Sequence, residues 1–121
     1  MRHAELITYG LEDDAAERLR TLLSQRGVGV RTTRQHGACL NLLRQGATGV
    51  LLLRVGRDLE VEFDLLARTA QQFPHVAPVV CGDADHPRLA GLAWDLGASA
   101  VFMPPPDLQR LGETIVRLLP E

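Results

Sequence analysis

Val50-Leu51-Leu52-Leu53 places four apolar side chains in a row. A strand sends successive side chains to opposite faces, so a run without a polar position buries both faces. Strands covered on both sides belong to parallel sheets flanked by helices, and the rest of the chain must supply those partners. Arg54 follows at once, at the point where such a strand should leave the core. An arginine is almost never fully buried unless it is paired. The residue therefore asks what holds it at the mouth of a buried strand.

The chain supplies the partners as alternating short apolar runs and amphipathic segments. Residues 5–9 read as a first strand closed by Gly10, and Asp13 or Asp14 caps a helix over about Ala15–Gln25. Leu19, Leu22 and Leu23 recur at helical spacing and Gly27 stops the helix. Val28, Val30 and Thr32 alternate as a second strand, and a second helix spans about Gly37–Arg44. Val50–Leu53 is the third strand and residues 61–72 the third helix, with Phe63, Leu66 and Ala70 inward. Val79–Cys81, a helix over 87–96, Ala100–Met103 and a last helix capped by Asp107 complete five strand–helix units. In the fourth helix Leu89, Leu92, Ala93 and Leu96 form the inward stripe. Right-handed crossovers leave few topologies for such a pattern. The economical one is a flavodoxin-like (βα)5 three-layer α/β sandwich with a parallel sheet of order 2-1-3-4-5, whose functional crevice lies at the carboxyl ends of the strands. Arg54 lies there.

Composition narrows the function classes. The 121 residues fit one domain, carry a net charge of −2 and are 45% hydrophobic, as in ordinary globular chains. No apolar run approaches the roughly 20 residues of a membrane span. No secretory signal pattern opens the sequence, so a cytoplasmic location is expected. All 13 Lys+Arg residues are arginine, spread among acids without a basic stripe, which argues against direct nucleic-acid binding. Cys39 and Cys81 match no metal or redox spacing and read as buried, reduced thiols. His3, His36, His75 and His86 occur singly and read as surface residues, so no metal and no cofactor is expected.

"LGASAVFMPPPDLQRL" (96–111), "ATGVLLLRVG" and "AELITYGLEDD" together carry a resemblance. The chain resembles the receiver domain of two-component response regulators, of the chemotaxis-regulator type, over residues 1–121 as one receiver-like domain. In that family the first strand ends in an acidic pair, the third in the phospho-accepting aspartate and the fifth in Lys-Pro. Phosphoryl transfer needs the carboxylate nucleophile, a carboxylate-held magnesium, and a hydroxyl and a lysine on the phosphate oxygens. On the resemblance, the acceptor position is Arg54, the acidic pair Tyr9 and Gly10, the switch hydroxyl Gly82 or Cys81, and the lysine Pro104. The toggling aromatic falls at Val101, with Phe102 on the opposite face. An arginine accepts no phosphoryl group and repels magnesium. The resemblance therefore implies a degenerate pseudo-receiver without enzymatic activity, which keeps the fold and has lost the phosphorelay chemistry.

Two readings of Arg54 remain open. It forms an ion pair with Glu12 or Asp13 across the old pocket, fixing the protein in one state, or it lies along apolar surface with its head in solvent. Asp13 and Asp14 also read as ordinary acids of a helix start. Trp94 shares a face with Ala90 and Gly91 and reads either as an anchor of an interaction surface with Val101 and Phe102, or as a cover over the core edge. The Pro104–Pro105 bond is expected to be cis, with Pro105 opening the turn into the last helix, while a polyproline ligand is the alternative. The function expected is signalling through a protein partner, whether a regulator, a kinase or an effector domain of the same chain, with a homodimer as one form such a surface supports. The competing readings are an atypical receiver that still binds magnesium or phosphate through Glu12, Asp13 or Asp58, and a flavodoxin-like small-molecule domain.

Overall fold

The computed structural model describes residues 5–46, 48–83 and 86–119. Its elements are β1 (Glu5–Tyr9), α1 (Asp13–Ser24), β2 (Gly29–Thr33), α2 (His36–Arg44), β3 (Thr48–Val55), α3 (Leu59–Gln72), β4 (Ala77–Gly82), α4 (Pro87–Asp95), β5 (Ala100–Phe102) and α5 (Leu108–Leu118). The strands pair in parallel in the order β2-β1-β3-β4-β5, as the pattern of strand–helix units requires.

Strand alternation divides the core between the two faces of the sheet. Ile7, Leu51, Leu53 and Val80 pack against Cys39, Leu40 and Leu43 of α2, Phe63 and Leu66 of α3, and Ala93 of α4. Leu6, Val50, Leu52 and Val79 pack against Leu19 and Leu23 of α1 and Leu111 and Ile115 of α5. Val50 through Leu53 are each 0% exposed. Burying each such side chain is worth about 1.5–3 kcal/mol. The central strand is thus the apolar spine of both layers. Asp58 caps α3 by accepting from the Val61 amide at 3.3 Å, and Asp107 caps α5 by accepting from the Arg110 amide at 2.8 Å. Such caps contribute about 1 kcal/mol each.

Several boundaries differ from the sequence reading. β3 continues to Val55, so Arg54 lies inside the strand and pairs in register with Cys81 of β4. Pairing with β4 alone carries the strand past its apolar run, since the β1 partners end at Leu53. α1 starts at Asp13 with Glu12 as its N-cap residue, not Asp13 or Asp14, and the Glu12 side chain makes no capping bond. Leu92 is 43% exposed, outside the inward stripe, because α4 turns Leu89, Ala93 and Leu96 to the core instead. The cis bond is Met103–Pro104, not Pro104–Pro105. Three successive X–Pro bonds share the same tolerance for cis, and sequence spacing does not choose among them.

Among the described residues His75 and His86 are exposed, as the sequence indicates, and His36 is half-buried. His36 Nε2 lies 2.8 Å from Asp64 Oδ2, joining α2 to α3, and that hydrogen bond holds the Asp64 carboxyl below the usual carboxylate range. His86 caps α4 by accepting from the Leu89 amide. His75 stands edge-on to Phe73. His3 lies outside the described residues. Both cysteines are free and buried, as the sequence indicates.

Candidate functional site

Arg54 is positioned by alternation along β3. Leu52 faces α1 and α5, so Arg54, two residues on, faces the same side at the carboxyl end of the sheet. Its side chain is only 18% exposed. The turn after β1 makes room for it: Gly10 has φ +77°, and a Cβ there would stand 3.3 Å from the Arg54 carbonyl oxygen.

The guanidinium holds two carboxylates. Nη2 donates to Asp83 Oδ2 at 2.6 Å and to Oδ1 at 2.8 Å, and Nε donates to Oδ1 at 3.2 Å. Nη1 donates to Glu12 Oε1 at 3.3 Å. The hydrogen bond to Asp83 leads the effects that raise the Arg54 pKa further above its ordinary value. Arg54 therefore joins the exits of β1, β3 and β4 in one ionic latch.

The latch differs from the sequence reading in one partner. Glu12 was one of the two acids expected, and it is present. Asp13 is not: its carboxylate takes Arg34 Nη2 at 3.0 Å, on the far side of the β1–α1 turn. Asp83, the stronger partner, was missed. Its signal was its place, one residue beyond β4 on the same edge of the sheet as Arg54, but only the folded loop sets the bidentate geometry.

Beneath the latch lies a cavity of about 360 Å³. Leu11 and Ala15 line it from the α1 side, Pro105, Leu108 and Leu111 from the α5 side, and Cys81 from β4. Burial pushes the Cys81 thiol up to about 11, an effect that Arg54 partly opposes. Gly82 is covered by Met103, whose Cγ would stand 3.3 Å from a Cβ on that glycine. A side chain at Gly82 would require the flexible Met103 side chain to give way slightly.

Comparison with solved structures identifies the architecture. A response regulator from Thermotoga maritima superposes with a TM-score of 0.82 at 16% identity, with 98% of each chain covered. An orphan response regulator of H. pylori superposes with a TM-score of 0.83 at 12% identity, covering 97% of this chain and 98% of that one. NtrX from Brucella abortus gives 0.77 at 21% identity, and the 98% of this chain that aligns spans 26% of NtrX. The chain has the receiver fold. No family model and no curated protein matches the sequence.

Within the receiver fold, the other residues singled out from the sequence are placed as follows. Tyr9 is in the core between the sheet and α2–α3, and burial, then Glu62, raises its pKa. Pro104 and Pro105 are exposed in the turn after β5. Trp94 is 53% exposed, with Ala90 half-buried and Gly91 exposed on the same helix. Val101 packs on the α4 side of the sheet. Phe102 does not join that surface: alternation sends it to the α1–α5 side, where the Arg110 guanidinium lies 6.0 Å from its ring centroid.

Glu62 is a second residue the sequence did not flag. It is 3% exposed, and its carboxylate accepts from the Gly56 amide at 2.8 Å and the Asp58 amide at 3.3 Å. It fixes the loop leaving β3, next to Arg54. The detectable signal was an acid one helical turn after the capping Asp58.

Proposed function

We propose that this chain is a non-phosphorylatable pseudo-receiver that acts in signal transduction through protein–protein contact, without catalysing a reaction. The observation that carries the reading is the occupation of the acceptor position by Arg54, bound to Asp83 and Glu12. A guanidinium has no lone pair to offer a phosphoryl group, and its positive charge excludes a divalent cation from the same space. The latch supplies internally what metal and phosphate supply in a working receiver, a charge-balanced tie between the loops, so the domain rests in one state.

The acids that would rescue phosphoryl chemistry already have other tasks. Glu12 and Asp83 hold Arg54, Asp13 holds Arg34, and Asp58 caps α3. Pro104, at the position the resemblance gives to the lysine, has no donor at all. Tyr9 and Gly10 offer no carboxylate for magnesium. Among the described residues, no three His, Cys, Asp or Glu side chains form a metal-holding group.

With the pocket closed to phosphate, contact is left to the surface. α4 exposes Trp94, with Gly91 and Ala90 on the same helix, next to the edge strand β5. A half-exposed tryptophan beside small residues supplies a rigid apolar anchor for a protein partner. The decisive test is incubation with magnesium and acetyl phosphate followed by intact mass measurement. The reading predicts no phosphoryl adduct. A magnesium-dependent acyl phosphate on Glu12, Asp13, Asp58 or Asp83 would contradict it.

A further inference from the structure

The latch and the cavity below it have properties that a purely structural ion pair does not need. The cation is the fixed member: the Arg54 side chain is 18% exposed, its stem held inside the sheet. The anions are the loose members, with Asp83 67% and Glu12 61% exposed. Either carboxylate can turn into water with little loss of packing, whereas Arg54 cannot follow. The cavity of about 360 Å³ that Arg54 helps to line is walled on its apolar side by Leu11, Ala15, Leu108 and Leu111. A half-open, mainly apolar cavity whose charged lining, Arg54 with Glu12 and Asp83, gathers at one end has the usual form of a small-ligand site, and its volume lies at the lower end of the ~300–1,000 Å³ range.

We propose that this cavity binds a small amphipathic monocarboxylate, whose acid group takes the bidentate place of Asp83 on Arg54 while its apolar body lies between α1 and α5. Charge selects this class. Arg54 faces two carboxylates, so exchanging Asp83 for one ligand carboxylate leaves the local balance unchanged. A phosphate dianion would add negative charge beside Glu12, and a bare cation would meet the guanidinium. Size selects it as well: at about 30 Å³ for each water-sized atom, the cavity holds roughly a dozen non-hydrogen atoms. Asp83 then acts as a built-in competitor, and its release on binding unties the end of β4 from Arg54. The site stands on the cavity and the latch alone, so it can fail while the partner surface of α4 stands, and the reverse.

Octanoate is the probe, with octanol and inorganic phosphate as controls. Amide NMR should give saturable shifts at Leu11, Ala15, Leu108 and Leu111 for octanoate, and weaker or no shifts there for both controls. Arg54→Gln should weaken octanoate about tenfold or more, the loss expected for a charge-assisted bidentate pair. Asp83→Asn should tighten it several-fold by removing the competing charge. Asp83 is exposed, so this variant stays informative should Arg54→Gln fold poorly. Ala15→Phe, which fills the cavity from α1, should abolish the shifts. No saturable binding would overturn the proposal. So would equal binding of octanol, an unchanged Kd in Arg54→Gln, or weaker binding in Asp83→Asn.

Discussion

At the scale of single residues, Arg54 stands out because one side chain ties the exits of three strands and, on the proposed reading, takes the place of the phospho-acceptor. Its contribution to stability is modest. The partners are more than half exposed, and pairs of that kind are worth about 0–1 kcal/mol. Its effect on chemistry is larger, since the same space can hold a guanidinium or a divalent cation but not both. Arg54→Asp therefore makes a sharp test. The substitution sets three carboxylates together, which should destabilise the metal-free protein by about 1–3 kcal/mol, between the values for exposed and buried pairs. Added magnesium should then raise the melting temperature of the variant and leave that of the parent unchanged. Thermal melts with and without magnesium check this. The residue scale also shows where sequence reading reaches its limit. The demand of Arg54 for a carboxylate partner was legible from its place after Val50–Leu53. The choice of Asp83 over Asp13 was not, because it depends on how two loops meet over a separation of 29 residues.

At the scale of elements, strand order and helix order were legible because each apolar run has a length and period that allow one assignment. Element ends were less legible. β3 runs on to Val55 because β4 offers it pairing partners up to Gly82, a tertiary effect that residue order does not record. α4 is the other case: Leu92 faces outward although its spacing fits the inward stripe, because a short helix at the sheet edge buries only a narrow strip. This exposure bears on the partner surface. Trp94→Ala should change stability by less than about 1 kcal/mol, as for a surface position, while weakening self-association or partner capture. Thermal melts together with sedimentation measurements separate the two effects. A loss of several kcal/mol would instead assign Trp94 to the core edge.

At the scale of the whole molecule, two apolar layers share one buried sheet, and two buried thiols sit one on each side of it. Burial pushes Cys39 up to about 12 and Cys81 up to about 11. Both thiols thus ionise later in the folded protein than in the unfolded chain, where the ordinary value is 9.0. Their contribution to stability is complete below pH 9 and is lost as pH rises through the folded values. The slope is at most about 1.4 kcal/mol per pH unit for each thiol. Urea titrations across that range should show the decline, and a Cys39→Ala, Cys81→Ala double variant should flatten it. The proposed reading for the whole molecule is a receiver fold in which an internal ion pair stands in place of metal and phosphate. The most direct measurement of that claim is amide NMR during addition of magnesium and then beryllofluoride, a mimic of the aspartyl phosphate. The account predicts no shift at residues 10–14, 54 and 82–83. Saturable shifts in those loops would contradict it and direct attention to a working acceptor among Glu12, Asp13, Asp58 and Asp83.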